Sequence, residues 1–208
     1  NSPTKGDQNM AKRQNHNVQP IKDSNVLRQV QDTLLNNFKA GRRNYTIFQL
    51  GKATLLRVSD VLSLEYADLF TPEGVLKDRA YITDQKTGKP NTLYLKPLES
   101  DLMLYHEWRV DNHIDSPWLF PSTTTPNQHI TRKQYYKIMT KTGDLIGINY
   151  LGTHTMRKTG AYRVYDQTNY NIGFVMNLLN HSDQKATLAY LGLDTVTKEA
   201  MLDTINFG

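Results

Sequence analysis

Large apolar side chains first recur at helical spacing at Val26, Val30, Leu34, Leu35 and Phe38, the period of a helix that buries one face. A second, largely apolar helix opens after Asn44 and covers residues 45–56. A third, short one starts at Ser59, a good capping residue, and carries Val61 and Leu62. Arg57 falls in the joint between them. From about residue 69 to residue 95 the period changes: residues 79–83 and 92–95 read as paired strands around the turn-forming run Lys86-Thr87-Gly88-Lys89-Pro90, with Lys86 near the hairpin tip and Lys89 on the same turn. Helices resume at Pro97, with Leu98, Leu102, Tyr105 and Trp108 facing inward, and again over residues 131–146. There Tyr135, Ile138, Met139 and Thr142 form one face while Lys133, Lys137 and Lys141 repeat every fourth residue on another. A last helix is expected over residues 195–207, through Val196, Ala200, Met201, Leu202 and Ile205. The pattern predicts an α+β fold, mainly α, with one small antiparallel hairpin.

Residues 1–22 break this pattern. They are rich in Asn, Gln and Lys with few large apolar groups, and cannot offset the entropy of ordering by themselves. They are expected to form a flexible arm, linker or tag ahead of a single domain over residues 23–208. Met10-Ala11-Lys12 reads either as a natural start behind a vector-derived tail or as part of a linker from a further domain.

Charge sharpens the picture. Lys and Arg number 25 against 20 Asp and Glu, a net +5, and the excess is concentrated: between residues 132 and 163 stand Arg132, Lys133, Lys137, Lys141, Arg157, Lys158 and Arg163 against Asp144 alone. Such a basic stretch suits a polyanion, and the lysine row over residues 131–146 could track phosphates, although a solvated helix face would look the same. With no cysteine there is neither a disulfide frame nor a thiolate metal site, and His16, His106, His113 and His129 form no zinc spacing. No apolar run reaches the roughly 20 residues that span a bilayer. A cytoplasmic protein without metal or cofactor is expected.

The candidate chemistry lies in the last third. Thr153 can cap a helix opening at His154 or Thr155, which would bring His154 and Arg157 onto one side of its first turn, where free amide hydrogens favour an anion. Ser182 can cap a shorter helix, with His181 just before it and Tyr190 at its far end. A phenol with an ordinary pKa of about 10 is almost wholly neutral at pH 7, so a nucleophilic tyrosine needs cations or a base beside it. These residues supply both.

The segments Leu56-Arg57-Val58-Ser59-Asp60, Lys86-Thr87, His154-Thr155-Met156-Arg157-Lys158-Thr159, Leu179-Asn180-His181-Ser182 and Ala189-Tyr190-Leu191 resemble, in order, the motif boxes of the tyrosine recombinases, the phage-integrase family. Each box alone is weak; five in order are specific. The resemblance implies a helical catalytic domain that breaks and rejoins DNA strands through a 3'-phosphotyrosine, on a mobile genetic element in a bacterial or phage-infected cell. It implies Tyr190 as nucleophile, Arg57 and Arg157 on the phosphate, Lys86 as general acid, His154 in proton transfer, His181 on a phosphate oxygen and Asp60 behind Arg57. The expected DNA-binding residues are Arg132, Lys133, Lys137, Lys141 and Lys158. It further implies a monomer that becomes a dimer or tetramer on double-stranded DNA through its C-terminal segment. Leu55, two before Arg57, and Asn180, before the second histidine, depart from the family's usual glycines, and Lys158 stands where another histidine is frequent. A type IB topoisomerase-like enzyme and a non-catalytic DNA-binding regulator on the same fold are the alternatives.

Overall fold

The computed structural model describes residues 18–193 and 202–208. The first helix, α1 (Ser24–Asn36), starts where Asp23 accepts hydrogen bonds from the Asn25 and Val26 amides. It buries Leu27, Val30 and Leu34, while Phe38 falls beyond its end. Helix α2 (Gly41–Thr54) begins four residues before the expected Tyr45. The reason is that Arg43 and Asn44 are buried: the Arg43 guanidinium donates to Pro121 O at 2.9 Å and to Asn44 Oδ1 at 2.9 Å, so two polar residues belong to the core.

Short helices α3 (Val58–Leu62) and α4 (Tyr66–Leu69) lead to the hairpin of β1 (Arg79–Thr83) and β2 (Pro90–Tyr94). Its antiparallel register runs from Arg79 opposite Tyr94 to Thr83 opposite Pro90. The second strand starts two residues earlier than expected, because a proline is tolerated as a strand's first residue. A 3-10 turn (Lys96–Leu98) enters α5 (Glu99–Asp111). Helix α6 (Arg132–Ile146) is closed at its start by Thr131 and Gln134, each side chain bonding the other's backbone amide. Then follow α7 (Thr155–Gln167), α8 (Ile172–Leu179) and α9 (Gln184–Tyr190). Among the described residues no helix is long and apolar enough to cross a membrane.

One main core joins α1 to α6 and the hairpin around Phe48, Leu50, Leu102, Tyr105 and Tyr135. A smaller one, Leu55, Ala161, Val175, Leu179 and Leu191, fastens α7, α8 and α9 together. The two meet where α2 crosses α7 at glycines. A Cβ on Gly160 would lie 2.0 Å from Lys52 O, and one on Gly51 would lie 2.2 Å from Met156 Sδ. This close crossing brings the start of α7 against the end of α2, which is where the candidate site forms.

Residues 18–22, assigned by composition to the flexible arm, are packed instead. Ile21 is fully buried and its amide donates to Thr159 Oγ1 at 3.0 Å. Lys158 Nζ donates to Val18 O at 2.7 Å, and Lys22 Nζ to Gly192 O at 2.9 Å. The rest of the expected arm, residues 1–17, lies outside the described residues. So does most of the expected C-terminal helix. Of that segment residues 202–208 are described, and they turn at residues 203–204 and run irregularly from Ile205, with Leu202, Ile205 and Phe207 exposed.

Candidate active site

Arg57 is the residue immediately before α3, in extended conformation, so its side chain leaves the joint between α2 and α3 rather than a helix face. Arg157 lies in the first turn of α7 and is only 6% exposed. Its Nε donates to Leu55 O at 2.7 Å and its Nη2 to Leu179 O at 3.2 Å. These two carbonyls end α2 and α8, so Arg157 fastens together the helices that carry the other candidate groups. Both carbonyls belong to or adjoin left-handed positions, Leu55 with φ of 56° and Asn180 with φ of 57°. That conformation suits glycine. Leu55 and Asn180 therefore depart from the usual glycines in residue type while keeping a backbone shape that glycine adopts easily.

The two arginines line one cavity of about 240 Å³, with Asp84, Thr87, Lys89, Asn91, Asn177 and Asn180 around it. Lys89 borders this cavity. Lys86, which the motif singles out, is exposed at the hairpin tip and is not among the lining residues. Nor are His154, His181 and Tyr190.

Tyr190 ends α9, its ring 5.5 Å from the Arg157 guanidinium and 5.2 Å from Lys158 Nζ, and edge-on to the His181 ring at 5.5 Å. The hydroxyl is buried and makes no hydrogen bond of good geometry among the described residues. Burial pushes the phenol above its ordinary pKa, against the opposing pull of Arg157 and Arg57, so it rests neutral. His181 shares a hydrogen bond of 3.1 Å between Nδ1 and Thr187 Oγ1, which fixes its ring next to the tyrosine. Burial, then Arg157 and Arg57, lower its pKa.

His154 precedes α7 in the capping position without making a side-chain cap. The expected cap, Thr153, is not used; Thr155 Oγ1 accepts from the Gly152 amide at 2.8 Å instead. Burial, followed by Arg132, Arg157, Lys158 and Arg57, lowers His154 to a pKa of about 4. Its imidazole is therefore neutral at pH 7. Asp183, not Ser182, caps α9, accepting from the Lys185 and Ala186 amides.

The expectation for Asp60 is corrected. Arg57 makes its ion pair with Asp84, Nη1 to Oδ2 at 2.6 Å, whereas Asp60 accepts from the Gln85 amide at 3.0 Å through Oδ1. Asp60 is 3% exposed and its Oδ2 has no hydrogen-bond partner. Burial raises its pKa, with the Gln85 amide, Arg57 and Arg157 pulling the other way. It stands in the field of both arginines without touching either. Asp84 was not anticipated; a carboxylate two residues before the motif lysine was the available signal.

On the expected DNA-facing side, Arg132, Lys133, Lys137 and Lys141 are exposed along α6, with Lys141 also 5.5 Å from the Phe38 ring. Lys158 is half-buried between Val18 and Tyr190. Among the described residues no group of three or more His, Asp or Glu could hold a metal ion.

Solved tyrosine recombinases share this mainly helical fold. The XerH site-specific recombinase bound to difH substrate superposes with a TM-score of 0.61 at 18% identity, over 91% of this chain and 53% of that one. A lambda integrase fragment (75–356), in a dimer bound to a COC' core site, gives 0.61 at 14% identity over 95% and 66%. XerA recombinase gives 0.62 at 16% identity over 91% and 63%. The chain thus spans about half to two thirds of the length of these structural relatives. The sequence carries the assignment further: residues 23–195 match the model of the phage integrase family, and the chain belongs to that family. It is also 34% identical over 186 residues to the probable integrase/recombinase YoeC of Bacillus subtilis (strain 168), covering 89% of this chain and 95% of that protein.

Proposed function

We propose that this protein is a site-specific DNA recombinase, cutting and rejoining strands by attack of Tyr190 on a backbone phosphate. The observation that carries the reading is the shared cavity of Arg57 and Arg157, with the Tyr190 ring 5.5 Å from the Arg157 guanidinium and its hydroxyl buried. Two guanidinium groups facing one space suit the doubly anionic transition state of phosphoryl transfer, because forked, charge-assisted hydrogen bonds neutralise the non-bridging oxygens. No metal or cofactor is called for when cations fill that role.

In the proposed step the Tyr190 oxygen bonds to phosphorus as the bond from phosphorus to the 5'-oxygen breaks. His154 assists the transfer of the phenolic proton: its imidazole is neutral at pH 7, and the negative charge of the bound phosphate raises its basicity above that of the free protein. A hairpin lysine protonates the departing 5'-oxygen. Lys86 is the motif residue for that task, and Lys89 is the one that borders the cavity. His181, held by Thr187, donates to a phosphate oxygen. The product is a 3'-phosphotyrosine and a free 5'-hydroxyl, and attack by a 5'-hydroxyl from a second duplex reverses the step without an external energy source. Double-stranded DNA is the partner, bound by a monomer that assembles into a dimer or tetramer on it.

A nicked suicide duplex, carrying a site selected from a random-sequence pool by the protein itself, tests this reading. The wild type should become covalently attached to DNA. Tyr190→Phe should bind the duplex with similar affinity and form no adduct; an unchanged adduct yield would remove Tyr190 from the reaction. Relaxation of supercoiled DNA without pairing of sites would favour the topoisomerase-like alternative.

A further inference from the structure

We propose that Asp84 is a positioning residue that ties the aim of Arg57 to the shape of the turn bearing Lys86 and Lys89. The proposal rests on the reading that a lysine of this hairpin acts as general acid. Asp84 divides its two carboxylate oxygens between two tasks. One accepts from Arg57 Nη1 at 2.6 Å. The other accepts from the Lys86 amide at 2.9 Å and the Thr87 amide at 2.9 Å. Its backbone closes the same turn, with the Asp84 amide donating to Lys89 O at 2.9 Å and the Gly88 amide to Asp84 O at 2.8 Å. One residue therefore holds both ends of the lysine-bearing turn and one branch of the arginine.

An ordinary surface ion pair would explain little, since exposed pairs contribute almost nothing on average. This pair differs in place. Its side chains are 19% and 14% exposed, and both residues line the cavity shared with Arg157. A negative group facing a phosphate site repels its ligand unless that charge is already engaged. Here it is engaged by a guanidinium and two amides, and although burial alone would raise the Asp84 pKa, the Thr87 amide and Arg57 outweigh it and hold the carboxyl low. Arg57 keeps its remaining N–H groups for the phosphate, aimed by the fixed branch. Movement of the turn and movement of the arginine are then a single event.

Single-turnover cleavage of two nicked suicide duplexes separates this role from plain structural support. One carries the ordinary 5'-oxygen at the scissile position, and the other a bridging 5'-sulfur, which leaves as a thiolate and needs no proton. General acids contribute on the order of 10²- to 10⁴-fold, so Asp84→Ala, which frees both the turn and Arg57, should slow the ordinary substrate by roughly 10- to 100-fold and recover on the sulfur substrate the part of that loss due to the turn. Asp84→Asn keeps an oxygen for the two amides, so its ratio of sulfur to oxygen rates should match the wild type even if Arg57 works less well. Lys86→Ala and Lys89→Ala serve as references. Sulfur rescue of a lysine variant without rescue of Asp84→Ala would overturn the proposal alone. Rescue of neither lysine variant, with the wild type still forming its adduct, would overturn the hairpin's acid role and this proposal with it.

Discussion

His154 sits among four cations, Arg132, Arg157, Lys158 and Arg57, and burial adds to their effect in holding its pKa near 4. In the unfolded chain the ordinary value is 6.5, so between these values the unfolded state binds more protons than the folded one. Stability contributed by the neutral imidazole is then fully present above about pH 6.5 and is lost as pH falls toward 4. His181, lowered for the same reasons, acts in the same direction. Urea unfolding from pH 7.5 to 4.5 should show a falling midpoint, and His154→Gln should flatten the lower part of that curve. A midpoint in the wild type that is constant or rises on acidification would contradict the assigned electrostatics. At this scale the sequence was legible where a residue's task is local: Arg57 does stand in a joint between helices, and His154 and Arg157 do lie at the start of one helix. It was not legible where pairing depends on a hairpin folding back. Asp60 stands in the next turn after Arg57 whereas Asp84 is 27 residues away in sequence, and only the turn's closure gives Asp84 the ion pair.

Among the elements, the crossing of α2 and α7 does most to place the site, because it sets Leu55 O within reach of Arg157. Gly160→Ala should be severely disruptive there, since the new Cβ would lie 2.0 Å from a backbone oxygen and 2.6 Å from Leu55 Cδ2. Backbone cannot yield as a side-chain tip can. A loss of roughly 1–3 kcal/mol in denaturant unfolding is expected, together with loss of covalent adduct; an unchanged midpoint would mean the helices are not held at this separation. Apolar periodicity gave α6 to within a residue and β1 without change, because both are long enough or regular enough to show their period. The early start of α2 was hidden by a buried arginine whose partner is a backbone carbonyl. Ser182 and Asp183 can both cap α9 by residue type, and Asp183 makes the cap; two adjacent residues that can both cap are indistinguishable from sequence.

Over the whole molecule, the basic row and the candidate site meet at the start of α6, where Arg132 acts on His154 while Lys133, Lys137 and Lys141 extend away along an exposed face. If this face follows a DNA backbone, replacing all three lysines by alanine should make the log–log slope of affinity against salt shallower by roughly 2–3, about 0.9 per lost phosphate contact. An unchanged slope would assign the row to solvent. Residues 18–22 join the same assembly from the other end of the chain, through Val18 O on Lys158 and Lys22 on Gly192. Composition could not reveal that anchor, because backbone groups make much of it. The central claim is that Tyr190 becomes bonded to DNA, and mass mapping of the trapped adduct tests it most directly. After digestion, the nucleotide-bearing peptide should be the one between Lys185 and Lys198, modified at Tyr190. A modified peptide containing any other tyrosine, or bound DNA with no modified peptide at all, would contradict the account.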